Sequence, residues 1–291
     1  MKRVLIVGCG YVGVALGGEL ARQGHAVFGL RRSAPDQWRA DGITPLTADL
    51  TRPETLARLP GPFDWVINCA ASGGGGAEDY RELYLAGNRH LAVWLRRQPP
   101  EKFVYTSSTS VYAQNDGSRV TEASPVEPAA ATARVLVETE RLLCAAAREG
   151  LPAVILRVAG IYGPGRGHAF KQFLRGEAVI EGDGSRLLNM IHRDDLTGVI
   201  RAALAHGGPG EIYNAVDDEP VTQARFYGWL AEKLARPLPP SVAADAESWR
   251  KRGVTNKQVS NAKLRKELGY EFKFPNFRAG YEEEIKRLKH G

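Results

Sequence analysis

The chain is poor in sulfur, with three cysteines and two methionines among 291 residues. Cys9, Cys69 and Cys144 sit in apolar stretches without CxxC or Cys/His ligand spacing, which excludes a disulfide framework and gives no support for a metal site. Reduced thiols in a cytoplasm fit this usage. Long apolar runs are lacking as well. The N-terminal MKRVLIVGCG holds a run of four apolar residues that stops at glycine, too short for a signal peptide or a membrane span, so a cytoplasmic, membrane-free protein is expected. No fixed-period repeat is visible, and the low-complexity sequence is confined to Ser72–Asp79, SGGGGAED. Blocks of like charge are missing too. The formal net charge of +6 is spread along the chain without an RNA-recognition or zinc-finger pattern, so nucleic-acid binding is not expected, whereas an anionic small molecule suits the mild basicity.

What is present is an ordinary globular composition, 43% hydrophobic and 25% charged, long enough to bury a large core without staples. Apolar runs at Val4–Val7, Val27–Leu30, Trp65–Ile67, Phe103–Tyr105 and Val154–Leu156 show no polar alternation, as strands covered on both faces do. Helical patterns alternate with them: Tyr11–Arg22 ending at Gly24, Pro53–Leu59, Tyr80–Arg97 and Thr132–Arg148 ending at Gly150. This alternation predicts an α/β fold with a doubly wound parallel sheet. Residues 1–160 read as a dinucleotide-binding domain, to which a later segment, about 188–215, returns. Residues 161–291 read mainly as a smaller substrate-binding portion with short helices near Phe170–Arg175 and Asp194–Ala205, and a last one at Phe277–Leu288.

Gly8-Cys9-Gly10-Tyr11-Val12-Gly13 is a GxGxxG pattern placed after the first strand and opening the first helix. Gly8 serves the tight turn, Gly10 the approach of a pyrophosphate, and Gly13 close packing of helix on strand, while the helix start offers unpaired N–H groups. The second strand ends in Arg31-Arg32, not in an acid able to accept from a ribose 2′-hydroxyl. Two guanidinium groups suit a 2′-phosphate, which points to NADP with NAD as the alternative; a solvated basic turn is the plainer reading. Asp49 and Leu50, and Cys69, Ala70 and Ala71 after the fourth strand, fall where adenine and ribose would lie.

Taken in order, GCGYVG, NCAA, YLAGN, FVYTSSTSVY, LRVAGIYGPG, EGDGSRLLNMIHRDDL and the late LGY make the chain resemble the extended branch of the short-chain dehydrogenase/reductase superfamily, the NAD-dependent epimerases and dehydratases of nucleotide sugars. The resemblance implies a nicotinamide cofactor, touched also by Thr106 and Ser107, a small-molecule substrate such as a nucleotide sugar, and allows a homodimer. It places the family's catalytic Asn on Asn88 and its Ser/Thr on Ser108. Anchored on Pro128 and Glu140, the family's Tyr-x3-Lys pair falls on Thr132 and Leu136, and none of the ten tyrosines has a lysine four residues on. A threonine hydroxyl cannot replace a phenol as a base near neutral pH. Tyr162 is then a candidate for proton transfer, and Thr109, Tyr112, Arg166 and His192 for substrate contact, with Lys171, Arg175 and Arg186 near the same loops. Packing is the plainer role for Tyr112 and Tyr162, and a helix start for His192 and Asp195. Two functions stay open: a dehydrogenase, reductase or epimerase acting on a sugar-like or anionic substrate, and a dinucleotide-binding regulator that has lost catalysis.

Overall fold

The computed structural model describes residues 1–243 and 255–290. Seven strands form the central sheet: β1 Arg3–Val7, β2 Ala26–Arg31, β3 Ile43–Thr47, β4 Trp65–Asn68, β5 Lys102–Ser108, β6 Ala153–Val158 and β7 Ile212–Ala215. All neighbours pair in parallel, in the order β7-β6-β5-β4-β1-β2-β3. Successive side chains feed opposite cores: Val4 and Ile6 of β1 join one, Leu5 and Val7 the other. That two-sided burial is why these strands show no polar alternation. Pro45 is tolerated because β3 is the sheet edge.

One face is covered by α1 (Tyr11–Arg22), which packs Val12, Leu16 and Leu20 on the sheet. The helix Arg193–His206, through Leu196, Val199 and Ile200, and the helix Ala262–Leu268 complete that layer. On the opposite face lie α2 (Pro53–Leu56), the segment α3 (Ala77–Tyr80) continuing into α4 (Gly87–Leu95), and α5 (Ala131–Arg148). The α2 helix stops short of the expected Leu59 because Pro60 follows, and a residue before proline is driven out of the helical region. Between α3 and α4 the chain makes a π-helical turn, Arg81–Ala86, in which the Gly87 N–H reaches back five residues to the Glu82 carbonyl. A single regular helix over Tyr80–Arg97 is the expectation; the Asn88 side chain disrupts it by donating to the Tyr84 carbonyl at 2.7 Å, competing with the backbone ladder.

A third core, rich in aromatics, lies beyond the sheet and joins α6 (His168–Arg175), α8 (Gln223–Leu234) and α10 (Phe277–His290), with the Arg193–His206 helix taken as α7 and Ala262–Leu268 as α9. Phe170, Phe173, Phe226, Phe277 and Tyr281 fill it. Among the described residues no helix is long and apolar enough to cross a membrane.

Candidate functional site: a cavity along the strand ends

A cavity of about 1310 Å³ opens at the C-terminal ends of β1, β2, β4, β5 and β6. Its floor starts at the glycine turn. Gly8 holds φ +72° and its N–H donates to the Leu30 carbonyl at 2.9 Å, and a Cβ there would stand 2.3 Å from Ala70 Cα. Only glycine fits. At Gly10 a Cβ would meet nothing nearer than the Gly8 carbonyl oxygen at 3.7 Å, so the space beside it belongs to the cavity. Gly13 lies beneath the wall, where a Cβ would press on Ile6 at 2.9 Å; its part is to bring α1 against β1. Helix α1 begins without a side-chain cap or an acidic residue in its first turn, which leaves its first N–H groups to an anion.

Arg31, the last residue of β2, and Arg32 and Ser33 after it lie on the cavity wall, exposed, and neither arginine has an ion pair among the described residues. Asp49 and Leu50 line the same space, the Asp49 carboxylate accepting from the N–H and hydroxyl of Thr51 at 2.9 Å each. Cys69, Ala70 and Ala71 after β4, and Thr106, Ser107 and Ser108 at the end of β5, complete this side, together with Tyr11 and Val12. Two guanidinium groups approach the Tyr11 ring, Arg166 at 5.0 Å and Arg193 at 5.2 Å from its centroid, and burial pushes its phenol up to about 12.

Five residues expected at the reacting end are not on this wall, and each has another task. Asn88 is buried and accepts from Asn68 Nδ2 at 2.9 Å, tying the end of β4 to the helix. Tyr162 stacks on Tyr281 with ring centroids 4.5 Å apart and its hydroxyl lies 3.3 Å from the Asn276 carbonyl; burial raises its pKa strongly, against the tyrosinate form. Tyr112 is fully buried, donating to Asn214 Oδ1 and accepting from Arg157 Nη1, both at 2.8 Å. Thr109 is carried off the wall by the short turn in which the Ser110 N–H donates to Ser108 Oγ. His192 caps α7, its Nδ1 accepting from the Asp194 N–H at 3.2 Å, and burial pulls its pKa down to about 4. Asp195 is structural in the same way, accepting from the Lys273 and Phe274 N–H groups and the Tyr270 hydroxyl.

Behind Ser107 runs a buried polar chain. Its hydroxyl donates to Glu140 at 2.6 Å, and Glu140 is gripped by Arg157, which in turn reaches Tyr112. Of the two positions matched to the Tyr-x3-Lys pair, Leu136 lines the cavity and Thr132 is buried off it. Lys171, named from the sequence beside these loops, lines the cavity; Ser72, Asp79, Glu82, Tyr84 and His168 also line it, and no sequence motif marks them. A π-turn inserts a residue into the helical repeat, so periodic spacing misassigns the faces on its two sides, and Tyr84 sits in that turn. On the far side, Arg166 is on the wall as expected, with Arg175 and Arg186 away from it.

The family model for the NAD dependent epimerase/dehydratase family matches residues 4–215. Protein YeeZ of Escherichia coli is 29% identical over 95% of this chain and 97% of its own length. The 3-diazoavenalumate denitrifying reductase of a Streptomyces species is 27% identical over 96% of this chain and 98% of its own. In fold, the chain is similar to DesIV, a dTDP-glucose 4,6-dehydratase of Streptomyces venezuelae with NAD and TYD bound, at a TM-score of 0.84, 22% identity, and coverage of 100% of this chain and 98% of that one. The glycine turn, the parallel sheet and the match over residues 4–215 agree, and the chain belongs to the NAD dependent epimerase/dehydratase family.

Proposed function

We propose that the chain binds a nicotinamide dinucleotide along this cavity, prefers NADP to NAD, and catalyses reduction or oxidation of a small anionic carbonyl or hydroxyl compound. The observation that carries the reading is that a single cavity has the uncapped start of α1, Arg31 and Arg32, and Ser107 and Ser108 in its wall. When bound, the nicotinamide would supply the acceptor or donor of hydride. The chain's own groups divide the rest of the work. The α1 N–H groups face the pyrophosphate, and the Arg31 and Arg32 forks suit a 2′-phosphate. Ser108 orients the reacting oxygen, and Arg166 and Lys171 draw an anionic substrate, of which a nucleotide sugar is one. The Streptomyces relative, a reductase by name and similar along its whole length, supports oxidoreduction over dehydration.

The test is titration of the purified chain with NADPH and with NADH, followed by nicotinamide fluorescence, and then a screen of carbonyl acids and nucleotide sugars for dinucleotide oxidation. NADPH is expected to bind about tenfold or more tightly than NADH, as one or two charge-assisted bonds would give. Failure of both to bind overturns the reading. A second reading, a dinucleotide-responsive regulator without turnover, is favoured by Leu136, which puts aliphatic carbon on the wall at the place matched to the family's lysine. Turnover of any compound in the screen removes it.

A further inference from the structure

We propose that Tyr84 is the proton-transfer residue of this pocket, an inference that rests on the dinucleotide reading above. Tyr11 and Tyr84 are the two tyrosines on the cavity wall. Tyr11 opens α1 beside the glycine turn, its ring in contact with Arg166 and Arg193, which places it where the pyrophosphate in the middle of a dinucleotide would lie. Tyr84 stands elsewhere on the wall, toward the ends of β4 and β5. The π-turn that carries it packs against α5, the helix whose Leu136 lines the cavity and whose Glu140 accepts from Ser107. In the sheet, β5 with Ser107 and Ser108 is separated from β2 with Arg31 by β4 and β1, and the Tyr84 oxygen is held by Ser72 in the loop after β4, the strand next to β5, which sets the phenol on the serine side of the cavity and away from the paired arginines. π-Turns recur at functional sites because they hold a side chain where a regular helix would not.

The other titratable groups on the wall are poorer candidates. Asp79 is used at a helix start, its Oδ2 accepting from the Gly76 N–H at 2.8 Å; the Asp49 carboxylate accepts from the Thr51 N–H and hydroxyl; burial pushes the Cys69 thiol up to about 12; and Glu82, His168 and Lys171 are exposed. Tyr84 is 4% exposed and fixed: the Ser72 N–H donates to its oxygen at 3.0 Å. In the reducing direction a bound NADPH would supply hydride to the carbonyl carbon, and the chain's own part is the proton. Tyr84 gives up its O–H proton to the oxygen, so that C=O becomes CH–OH and the ring is left as tyrosinate. Tyrosinate then regains its proton from water at the cavity mouth. In the oxidising direction the same atoms move in reverse, and Tyr84 acts as the base.

A phenol in this role lies close to the nicotinamide, which is positively charged when oxidised and neutral when reduced. Tyrosinate absorbance, followed against pH in protein saturated with NADP+ or with NADPH, therefore reads its position without any substrate. The expected result is a tyrosine that ionises about one to three pH units lower with NADP+ than with NADPH, as a nearby opposite charge produces, with the difference lost in Tyr84→Phe. Tyr84→Phe should still bind NADP+ within about twofold of wild type, since its ring stays in place. A fluorotyrosine put at Tyr84 reports the same ionisation through its fluorine resonance and needs no loss of the hydroxyl. Equal ionisation in the two redox states, or a difference that persists in Tyr84→Phe, overturns the assignment while leaving the dinucleotide reading intact. Absence of any NADP+ or NADPH binding overturns that reading and the assignment with it.

Discussion

At the residue scale the glycines and arginines of the cavity make separable predictions. Gly8 and Gly10 are two residues apart and differ in what surrounds them: one is walled in by Ala70, the other faces open space. Gly10→Val should therefore fold, with a melting temperature within a few degrees of wild type, and lose both NADPH and NADH, because the side chain fills the space a pyrophosphate needs. Gly8→Ala should fail at the earlier step, since it forces φ +72° on a residue with a Cβ as well as a clash. On the proposed reading, Arg31→Ala and Arg32→Ala should act on NADPH alone, through its 2′-phosphate. Each is expected to weaken NADPH about tenfold, the equivalent of about 1.5 kcal/mol for a charged hydrogen bond, and to leave NADH unchanged. Equal loss for the two dinucleotides would mean that the arginines bind elsewhere. These glycine and arginine positions are readable in sequence because their chemistry is local: a turn, a strand end, a helix start.

At the element scale, the start of α7 couples stability to pH. His192 is 1% exposed and accepts from the Asp194 N–H, so the folded state holds it neutral, with a pKa of about 4 against the ordinary 6.5. The unfolded chain binds the extra proton first. Its contribution is therefore fully present above about pH 6.5 and is lost as pH falls toward 4, an effect of about 3 kcal/mol when integrated over that interval. Denaturant unfolding at pH 7.5 and pH 4.5 should show wild type losing more stability on acidification than His192→Asn, which keeps a capping acceptor but does not titrate. Parallel loss in the two proteins would remove His192 as the cause. The position of this histidine at a helix start is legible from the Asp194-Asp195 that follows it. Its burial under Phe274, with ring centroids 3.9 Å apart, is not, because the covering residue comes from 82 positions later in the chain.

At the scale of the whole molecule, the aromatic core beyond the sheet decides what several candidate residues do. Helix α10 passes Tyr162 at Gly280, where a Cβ would lie 2.5 Å from the tyrosine ring. Gly280→Ala should overpack this contact, costing about 1–3 kcal/mol and lowering the melting temperature by several degrees. Tyr162→Phe, by contrast, removes one 3.3 Å contact to the Asn276 carbonyl and should leave dinucleotide affinity and any turnover as they are. A large fall in turnover with Tyr162→Phe would return this phenol to the chemistry. The buried chain from Ser107 through Glu140 and Arg157 to Tyr112 has the same origin, joining β5, α5, β6 and the loop after β5 across separations that no local pattern announces.

The sequence by itself determined the class of fold, since two-sided apolar runs of strand length alternating with amphipathic helices have few other ways to bury themselves. It also determined the glycine turn and the basic end of β2, where backbone conformation and charge act within a few residues. Tertiary structure alone decided which polar residues reach the cavity. Asn88, Tyr112, Tyr162 and His192 are of the residue types a site uses, yet each is drawn off by a partner distant in sequence or by the π-turn that breaks helical periodicity. Tyr84 is brought onto the wall by that same turn. Periodicity assigns faces only while the repeat is unbroken, and a buried hydrogen-bond partner is chosen by packing in three dimensions, which a pattern read along one dimension does not contain.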